Sequence, residues 1–276
     1  MHRATLLLTA TMFLVARGAA AFTANELLAM PMNDWDFRGC TARSGDPVDY
    51  QVVDSKENVA AIFYGSTKGA YCCGAPSFPL GSNEGSYCAS EGEGMVLESD
   101  NCDKKMDPGC NEDYAVVGQV AAIGSIEGTS FEVLVMMKDY HHWARVFHFE
   151  ETTDTNSVYL ASYGTSSGFI FEVHDTSQST HTISSSNNGF FELGKWVHCV
   201  VTVGAGASPT YTVYKNGHKF MEAANKATLE PVIRGNNKFG RSNNFDTRDE
   251  RNFRGTIGLV RVWKHYCLTA SDVAAL

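Results

Sequence analysis

Apolar and polar residues alternate with a period of two from residue 130 to the end of the chain, and no other feature constrains the fold as much. Phe131, Val133, Val135 and Met137 fall on one side of the stretch SFEVLVMMK, as in a strand with one buried face. Six more stretches follow with breaks at Gly, Asn or Ser, namely ARVFHFE, SVYLAS, GFIFEV, WVHCVVTV, YTVYKNGHKF and RGTIGLVRVW. This spacing predicts an all-β fold, a two-sheet antiparallel β-sandwich.

Two local signals predict how the chain turns and how it ends. Asn216-Gly217 lies between two alternating stretches, and this pair supplies the two positive φ angles of a type I′ hairpin. In the final stretch LTASDVAAL, Thr269 precedes Asp272 by three positions, the spacing of a helix capping box. We therefore expect a tight hairpin at Asn216-Gly217 and one short C-terminal helix.

The first half of the chain predicts shorter strands and longer loops. WDFRGCT, NVAAIFYG, GMVLES and YAVVG are typical of strands, and the segments between them are rich in Gly, Ser, Cys and Asp. No Pro-rich or low-complexity linker separates the halves, and neither half alone contains enough alternating strands for a closed core. The prediction is one domain over residues 33–276, preceded by an N-terminal segment over 22–32.

Residues 1–21 have the pattern of a secretory signal peptide. His2 and Arg3 precede an apolar run over residues 4–16, and small residues end at Ala21, which predicts cleavage before Phe22. The apolar run is shorter than the roughly 20 residues of a membrane span, and no later stretch approaches that length. The mature chain is therefore predicted to be secreted, with no membrane span; Arg17 leaves an uncleaved signal anchor as the alternative.

The chain has eight cysteines, which in an oxidising compartment favour disulfides over free thiols. Their spacing lacks the paired C-x-x-C steps of a zinc ribbon. Cys102 and Cys110 bracket a short loop of a size that a disulfide can close. We predict a Cys102–Cys110 disulfide and a second one between Cys40 and either Cys72 or Cys73.

The second half of the chain contributes Cys199 and Cys267. Cys199 lies in the middle of the stretch WVHCVVTV, where a side chain is buried by a sheet. It is therefore predicted to be a buried free thiol, and Cys267 has no assigned partner.

Charge excludes a nucleic-acid partner. Residues 22–128 carry 17 Asp and Glu against 6 Lys and Arg, and residues 129–276 carry 14 of each class. Neither half has a cluster of Lys and Arg that could follow a phosphate backbone.

Four stretches resemble one known family. NDWDFRG and GEGMVLES are similar to its opening strands, and TSFEVLVMMKDYHHWARVFHFE is similar to its long strand pair. GKWVHCVVTV, YTVYKNGHK and the segment from KFGRS to the C-terminus resemble its closing half. This family is the laminin-G-like jelly-roll family of the concanavalin A-like lectin/glucanase superfamily. The resemblance implies a jelly roll, and the superfamily includes lectins, calcium-dependent adhesion modules, glucanases and lyases.

The resemblance implies a place for calcium. Where relatives bind calcium, the loop after the second long strand and the loop before the final strand hold it, here Asp154 with Asn156 and Asn244 with Asp246. Thr155 occupies the position at which calcium-binding relatives tend to have an Asp. Three interpretations stay open for these residues: a calcium site, a polar turn and a direct sugar contact.

The carboxylates do not form the pattern of a retaining glucanase. Such an enzyme on this fold needs Glu-x-Asp-x-x-Glu along one strand, and the sequence has no match. Glu150 and Glu151 are adjacent, and Glu172 and Asp175 are three residues apart, so neither pair shares one face of a strand. We therefore predict no catalytic residues.

Aromatic and basic residues near loops are the candidates for ligand contact. Tyr140 and Trp143 could stack on a sugar ring. Arg248 and Arg251 could clamp a carboxylate or sulfate of an anionic polysaccharide, or could pair with neighbouring Asp and Glu.

The sequence thus predicts a secreted, non-catalytic binding module for extracellular or cell-wall carbohydrate, a polysaccharide or glycoconjugate, with calcium as the candidate cofactor. The alternative is an adhesion domain that recognises an extracellular protein. A glycan-cleaving enzyme, with carboxylates supplied by unrelated loops, is the third hypothesis.

Overall fold

The computed structural model describes residues 23–30, 32–37, 51–53, 56, 59–64, 71–73, 94–98, 113–186, 188–244 and 250–276. Within them, two antiparallel sheets form a sandwich, so the predicted fold class is confirmed. A short two-stranded ladder and two short helices complete the described fold.

The first sheet has the strand order β15-β14-β13-β8-β18-β5-β4, and β1 pairs with β18. Its strands are β1 (Met32–Asp36), β4 (Tyr71–Cys73), β5 (Gly94–Glu98), β8 (Thr129–Met137), β13 (Trp196–Val203), β14 (Tyr211–Lys215), β15 (His218–Ala223) and β18 (Arg254–Trp263). The long pair β8 and β18 lies at its centre, so one strand from the middle of the chain pairs with the last one.

The second sheet has the order β12-β11-β10-β9-β17-β6-β3-β2. Its strands are β2 (Gln51–Val53), β3 (Ala60–Tyr64), β6 (Tyr114–Val117), β9 (Arg145–Glu150), β10 (Val158–Ser162), β11 (Phe169–His174), β12 (Thr180–Ser185) and β17 (Asn236–Phe239). The separate ladder pairs β7 (Val120–Ile123) with β16 (Val232–Arg234).

Aromatic rings from both sheets fill the space between them. Phe131 of β8 stacks on Phe147 of β9 with ring centroids 5.4 Å apart and lies 5.6 Å from Phe171 of β11. Val133, Val135 and Met137 share the buried face of β8 with Phe131, as the alternation predicts. Buried aromatic surface at the sheet interface is thus a main source of stability.

The structure confirms both local signals. Asn216 and Gly217 have φ angles of 51° and 80°, and they join β14 to β15 as a two-residue hairpin. Helix α2 (Ala270–Ala275) begins after Thr269, whose side chain accepts a hydrogen bond from the Asp272 backbone N–H. The Asp272 side chain in turn accepts from the Thr269 backbone N–H, which completes the capping box.

A second helix, α1 (Ala24–Leu28), was not predicted. Thr23 and Glu26 form a capping box at its start. Leu27 of α1 packs with Met32 of β1, Trp263 of β18 and Val273 of α2 in a small cluster on the first sheet. The segment before residue 33 therefore packs on the sandwich.

The cysteine predictions have different outcomes. Cys199 is a buried free thiol, as predicted, and burial raises its pKa; Cys267 is also free. Cys40, Cys102 and Cys110 lie outside the described residues, as do the side chains of Cys72 and Cys73. The two disulfides stay predictions.

Candidate functional site

A row of polar and aromatic side chains crosses the face of the second sheet that points away from the core. Tyr159 of β10 lies opposite His148 of β9 and opposite Glu172 of β11, and Glu172 lies opposite Thr182 of β12. Residues paired in this way project from the same face. Phe147, Phe149, Leu160 and Phe171 project from the other face into the core.

A β-bulge in β9 adds Arg145 to this face. Phe147 pairs with Leu160, but Arg145 pairs with the next residue, Ala161, so Val146 is an extra residue on β9. Val146 and Phe147 are both part of the core cluster. Strict alternation would have placed Arg145 on the core side with Phe147, so the bulge is what brings the guanidinium to the outer face.

Arg145 is fixed there by two contacts. Its guanidinium carbon lies 3.4 Å from the centroid of the Tyr159 ring, a cation–π contact. Its Nη2 donates to Oε1 of Glu250 at 2.6 Å, and both side chains are buried. Glu250 comes from the polar loop before β18, so the loop and the sheet meet at this ion pair.

The ion pair is incomplete as a hydrogen-bonding unit. Nε and Nη1 of Arg145 and Oε2 of Glu250 are buried and have no hydrogen-bond partner among the described residues. An unpartnered buried polar atom costs about 1–3 kcal/mol, and more on a charged group. The pair therefore holds unused donors and an unused acceptor next to the outer face.

Trp143 lies beside Arg145 in a strained backbone conformation. Its φ of 52° is in the left-handed region, which costs a bulky residue about 1–3 kcal/mol. The indole is half-buried and packs against Tyr163 with ring centroids 5.0 Å apart. Its backbone N–H donates to the carbonyl of Gly164 at 3.2 Å. Strain of this kind is concentrated at functional sites.

Buried hydrogen bonds hold the turn that carries Trp143. Nδ1 of His141 lies 2.8 Å from the carbonyl oxygen of Asn252, which assigns the proton to Nδ1. Burial lowers the pKa of His141, so the ring is neutral at pH 7. The carbonyl of His142 accepts from the Arg251 backbone N–H at 2.8 Å. These contacts connect the turn to the same loop that supplies Glu250.

Glu172 is an ionised carboxylate with three donors. Burial opposes its ionisation, but hydrogen bonds from His174, Tyr159 and Thr182 outweigh burial and lower its pKa. Nε2 of His174 lies 2.7 Å from Oε1, and Thr182 Oγ1 donates to Oε2 at 2.8 Å. The Tyr159 hydroxyl donates to Oε1. Glu172 therefore fixes the phenol whose ring supports Arg145.

These groups line a pocket of about 330 Å³, within the range of small-ligand sites. Its lining consists of His142, Trp143, Arg145, Tyr159, Ile170, Glu172 and Glu250. Trp143, Tyr159 and Ile170 of this lining belong to a small apolar cluster that also includes Tyr163. A few charged groups beside aromatic walls are typical of small-ligand pockets.

The predicted ligand contacts are only partly in this pocket. Trp143 lines it. Tyr140 packs against the core, and its hydroxyl donates to the Phe191 carbonyl at 2.7 Å, so its side chain is not part of the lining. Arg251 is buried next to Glu250 and is not a lining residue. Arg248 lies outside the described residues.

The sequence interpretation missed Arg145, Tyr159, Glu172 and Glu250. Alternation along β10 and β11 places Tyr159 and Glu172 opposite the core residues, so a search for polar residues on those faces could have found them. Arg145 could not be found in this way because of the bulge. Glu250 could not be identified without knowing the path of the long loop before β18.

The predicted calcium residues lie at a nearby turn. Asp154 and Asn156 have φ angles of 57° and 48°, so the strict alternation of an extended strand does not apply to them. Nδ2 of Asn244 donates to Oδ1 of Asp154 at 2.6 Å, so the structure brings these two together. Asp246 lies outside the described residues.

Asn156 and Glu150 are both buried at this turn. Nδ2 of Asn156 donates to Glu151, while its Oδ1 is buried without a hydrogen-bond partner among the described residues. Glu150 is fully buried, accepts from the Asp154 N–H at 2.6 Å, and burial raises its pKa. Oxygen atoms of the type that calcium prefers are thus present. Within the described residues, no three His, Cys, Asp or Glu side chains form a metal-binding group.

Comparison with known protein families shows which superfamily the chain belongs to. A laminin-G family model, described as the concanavalin A-like lectin/glucanases superfamily, matches residues 110–274. The chain belongs to this superfamily. The match begins just before β6 and ends within α2, and the resemblance in the sequence is confirmed. None of the curated proteins matches the sequence.

Solved structures share this superfamily fold at low sequence identity. Botulinum neurotoxin type C, studied for the dependence of its cell entry on two ganglioside molecules, aligns with 13% identity and a TM-score of 0.56. The alignment covers 91% of this chain and 51% of that one. The receptor-binding domain of botulinum neurotoxin D aligns with 12% identity and a TM-score of 0.50, over 88% and 50% of the two chains.

Domain 4 of an extracellular arabinanase from Geobacillus stearothermophilus, solved with arabinotriose, aligns with 13% identity and a TM-score of 0.49. That alignment covers 88% of this chain and 95% of the domain. This chain spans about half the length of the neurotoxin chains. At these identities the two neurotoxin alignments support the fold alone. In the described part of the chain, no helix has the length and apolar character of a membrane span.

Proposed function

We propose that this protein is a secreted, non-catalytic binding module for carbohydrate and that the pocket on the outer face of β9, β10 and β11 is its binding site. The observation that supports this most is the buried Arg145–Glu250 pair, which has two donors and one acceptor without a partner in the part of the chain that the structure describes. Sugar hydroxyls both donate and accept, so they can satisfy both members of such a pair. The half-buried Trp143 beside the pair offers an apolar ring face to a pyranose.

The lectin/glucanase-like fold is consistent with this proposal. Neurotoxin type C, which shares the fold, depends on ganglioside molecules for cell entry. Because that identity is 13%, this parallel supports a carbohydrate ligand as a class and transfers no residue.

The state of Glu172 argues against hydrolysis. A glycosidase needs one carboxylic acid with a raised pKa to protonate the leaving group. The pKa of Glu172 is lowered instead, and its two oxygens accept three hydrogen bonds. Glu250, the second carboxylate of the pocket, pairs with Arg145.

A glycan array tests the proposal. The full chain should bind a subset of glycans, and Arg145→Met should remove binding while circular dichroism shows an unchanged fold. Glu192→Gln, which changes an exposed ion pair with Lys195 away from the pocket, is the matched control and should bind normally. Failure to bind any glycan would favour the adhesion alternative. Release of reducing ends that Glu172→Gln or Glu250→Gln abolishes would establish an enzyme.

Calcium at the turn of Asp154, Asn156, Asn244 and Asp246 is a separate proposal. It is supported by the Asp154–Asn244 contact and by Oδ1 of Asn156, which is buried without a partner among the residues that the structure describes. A bound ion stabilises the native state by about 2.7 kcal/mol at a hundredfold excess over its Kd. Millimolar calcium should therefore raise the melting temperature by a few degrees, and EDTA should reverse the change. Asp154→Ala should remove most of the shift. An unchanged melting temperature would make this loop a polar turn.

A further inference from the structure

If the pocket binds carbohydrate, as the proposed function has it, its lining also indicates the chemical class of the sugar. We infer that the pocket selects a neutral glycan with two adjacent free hydroxyls, and that it discriminates against carboxylated, sialylated and sulfated glycans. The pattern of used and unused polar atoms in the pocket supports this inference.

The charges of the lining do not favour an anion. Arg145 is the only Lys or Arg among the lining residues described, and Glu250 already neutralises it at 2.6 Å. Glu172 adds a second carboxylate to the lining. A ligand carboxylate or sulfate would therefore be a third anion near a single cation, and like charges repel strongly in a site of low dielectric.

The other arginines near this loop do not change that balance. Arg251 and Arg254 act on the buried His141, whose pKa they help to lower, and neither lines the pocket. His174 bonds Glu172 from β11 and likewise is not a lining residue. Outside the lining, Arg251 and Arg254 act on His141 and His174 bonds the carboxylate of Glu172, while the lining itself carries one Arg and two Glu side chains among the described residues.

The unused atoms match a pair of hydroxyls. Nε and Nη1 of Arg145 are donors, and Oε2 of Glu250 is an acceptor. One hydroxyl can donate to the carboxylate while it and its neighbour accept from the guanidinium. A ligand carboxylate has acceptors only, so it would leave Oε2 of Glu250 unsatisfied. The three atoms are closed off from bulk water, so side chains lining the pocket must shift on binding, which is a common change.

Matched glycans test this inference. The full chain should be titrated with lactose and sialyllactose, and with neutral and uronate forms of the best neutral oligosaccharide found on the array. The neutral member of each bound pair should bind at least about tenfold more tightly, the factor for one lost charged hydrogen bond. Its Kd should stay the same between low and high salt, since screening affects a neutral ligand little.

Glu250→Gln should change the affinity for neutral glycans and for acidic glycans in opposite directions. For a neutral ligand it should weaken binding by on the order of tenfold because it replaces the charged acceptor. For an acidic ligand it would strengthen binding because it removes repulsion. Glu192→Gln is the control, and if Glu250→Gln fails to fold, the salt dependence and the matched pairs decide.

Tighter binding of the acidic members, or affinity that falls with salt, would overturn the selectivity for neutral sugars and leave the proposed function standing. Absence of binding to every glycan would overturn both. A tight neutral ligand that Glu250→Gln does not weaken would also overturn the inference.

Discussion

The outer faces of the two sheets each carry an Arg–Glu contact, and they differ in how completely it is satisfied. On the first sheet, Arg261 donates to Asp34 at 2.8 Å and to Glu132 at 3.2 Å, and His198 bonds the other oxygen of Glu132 at 2.8 Å. On the second sheet, the Arg145–Glu250 pair leaves three atoms without partners among the described residues. A closed network is explained by the fold alone, whereas an open one at a pocket is a place where a ligand or an ordered water can bind.

The largest effect is expected for a variant that breaks the closed network of Arg261, Glu132 and His198 on the first sheet. Glu132→Ala leaves the largely buried Arg261 and His198 with fewer partners and should lower the free energy of unfolding by about 3 kcal/mol. The value lies at the low end for a broken buried pair because Asp34 still binds Arg261. Chemical denaturation measures it. Glycan affinity of the folded fraction should not change, and a change would mean that the two faces are coupled.

The second prediction concerns a double variant in which both members of the Arg145–Glu250 pair are replaced. In the double variant Arg145→Met with Glu250→Met, apolar side chains fill the space without leaving a lone charge, so stability should stay within about 1 kcal/mol of the parent. Glycan affinity should fall by about a hundredfold, or about 2.7 kcal/mol. Denaturation and titration of the same sample measure both. Retained binding would remove this pair from the site.

The smallest effect concerns pH and the Glu172–His174 contact. Burial lowers the pKa of His174, but the Glu172 hydrogen bond and charge, with a contribution from Asp154, outweigh burial and raise it above its ordinary value of 6.5. This stabilisation is therefore full below pH 6.5 and is lost as pH rises through the folded-state pKa. The Glu172 contribution is present above its ordinary pKa of 4.5 and is lost as pH falls through its lowered pKa.

The difference in unfolding free energy between the parent and His174→Gln should therefore be largest between about pH 4.5 and 6.5 and should shrink toward pH 9. Denaturation at a series of pH values measures it. A difference that grows toward alkaline pH would contradict this assignment, since it would mean that the histidine stabilises the fold in its neutral form.

Local rules predicted most of the fold. The Asn216-Gly217 hairpin, the buried face of β8 and the capped C-terminal helix depend on neighbouring residues, so the sequence is sufficient for them. Short strands such as β16 and β17 were missed because three or four residues hardly show a period.

The candidate site was less predictable because it depends on a register and on a distant loop. Trp143 was predicted as a contact from its position near a loop, and it does line the pocket. Arg145 alternates with Phe147 and Phe149 in the sequence, which indicates the core side, and only the pairing with β10 shows otherwise. Glu250 is 105 residues away from Arg145 along the chain, and local patterns contain no information about such a contact.

The bulge at Val146 has a consequence for how such a pocket is gained or lost in evolution. If Val146 paired with Ala161 in regular alternation instead of being bulged, Arg145 would turn toward the phenylalanine core and Ala144 would take its place outside. Deletion of the Val146 codon would instead give a regular ladder in which Arg145 keeps its pairing with Ala161, so a strand one residue shorter presents the same arginine on the outer face. Alignments of relatives that ignore single-residue gaps in this strand would equate residues from opposite faces, so length at this strand, rather than residue identity, is the feature to compare.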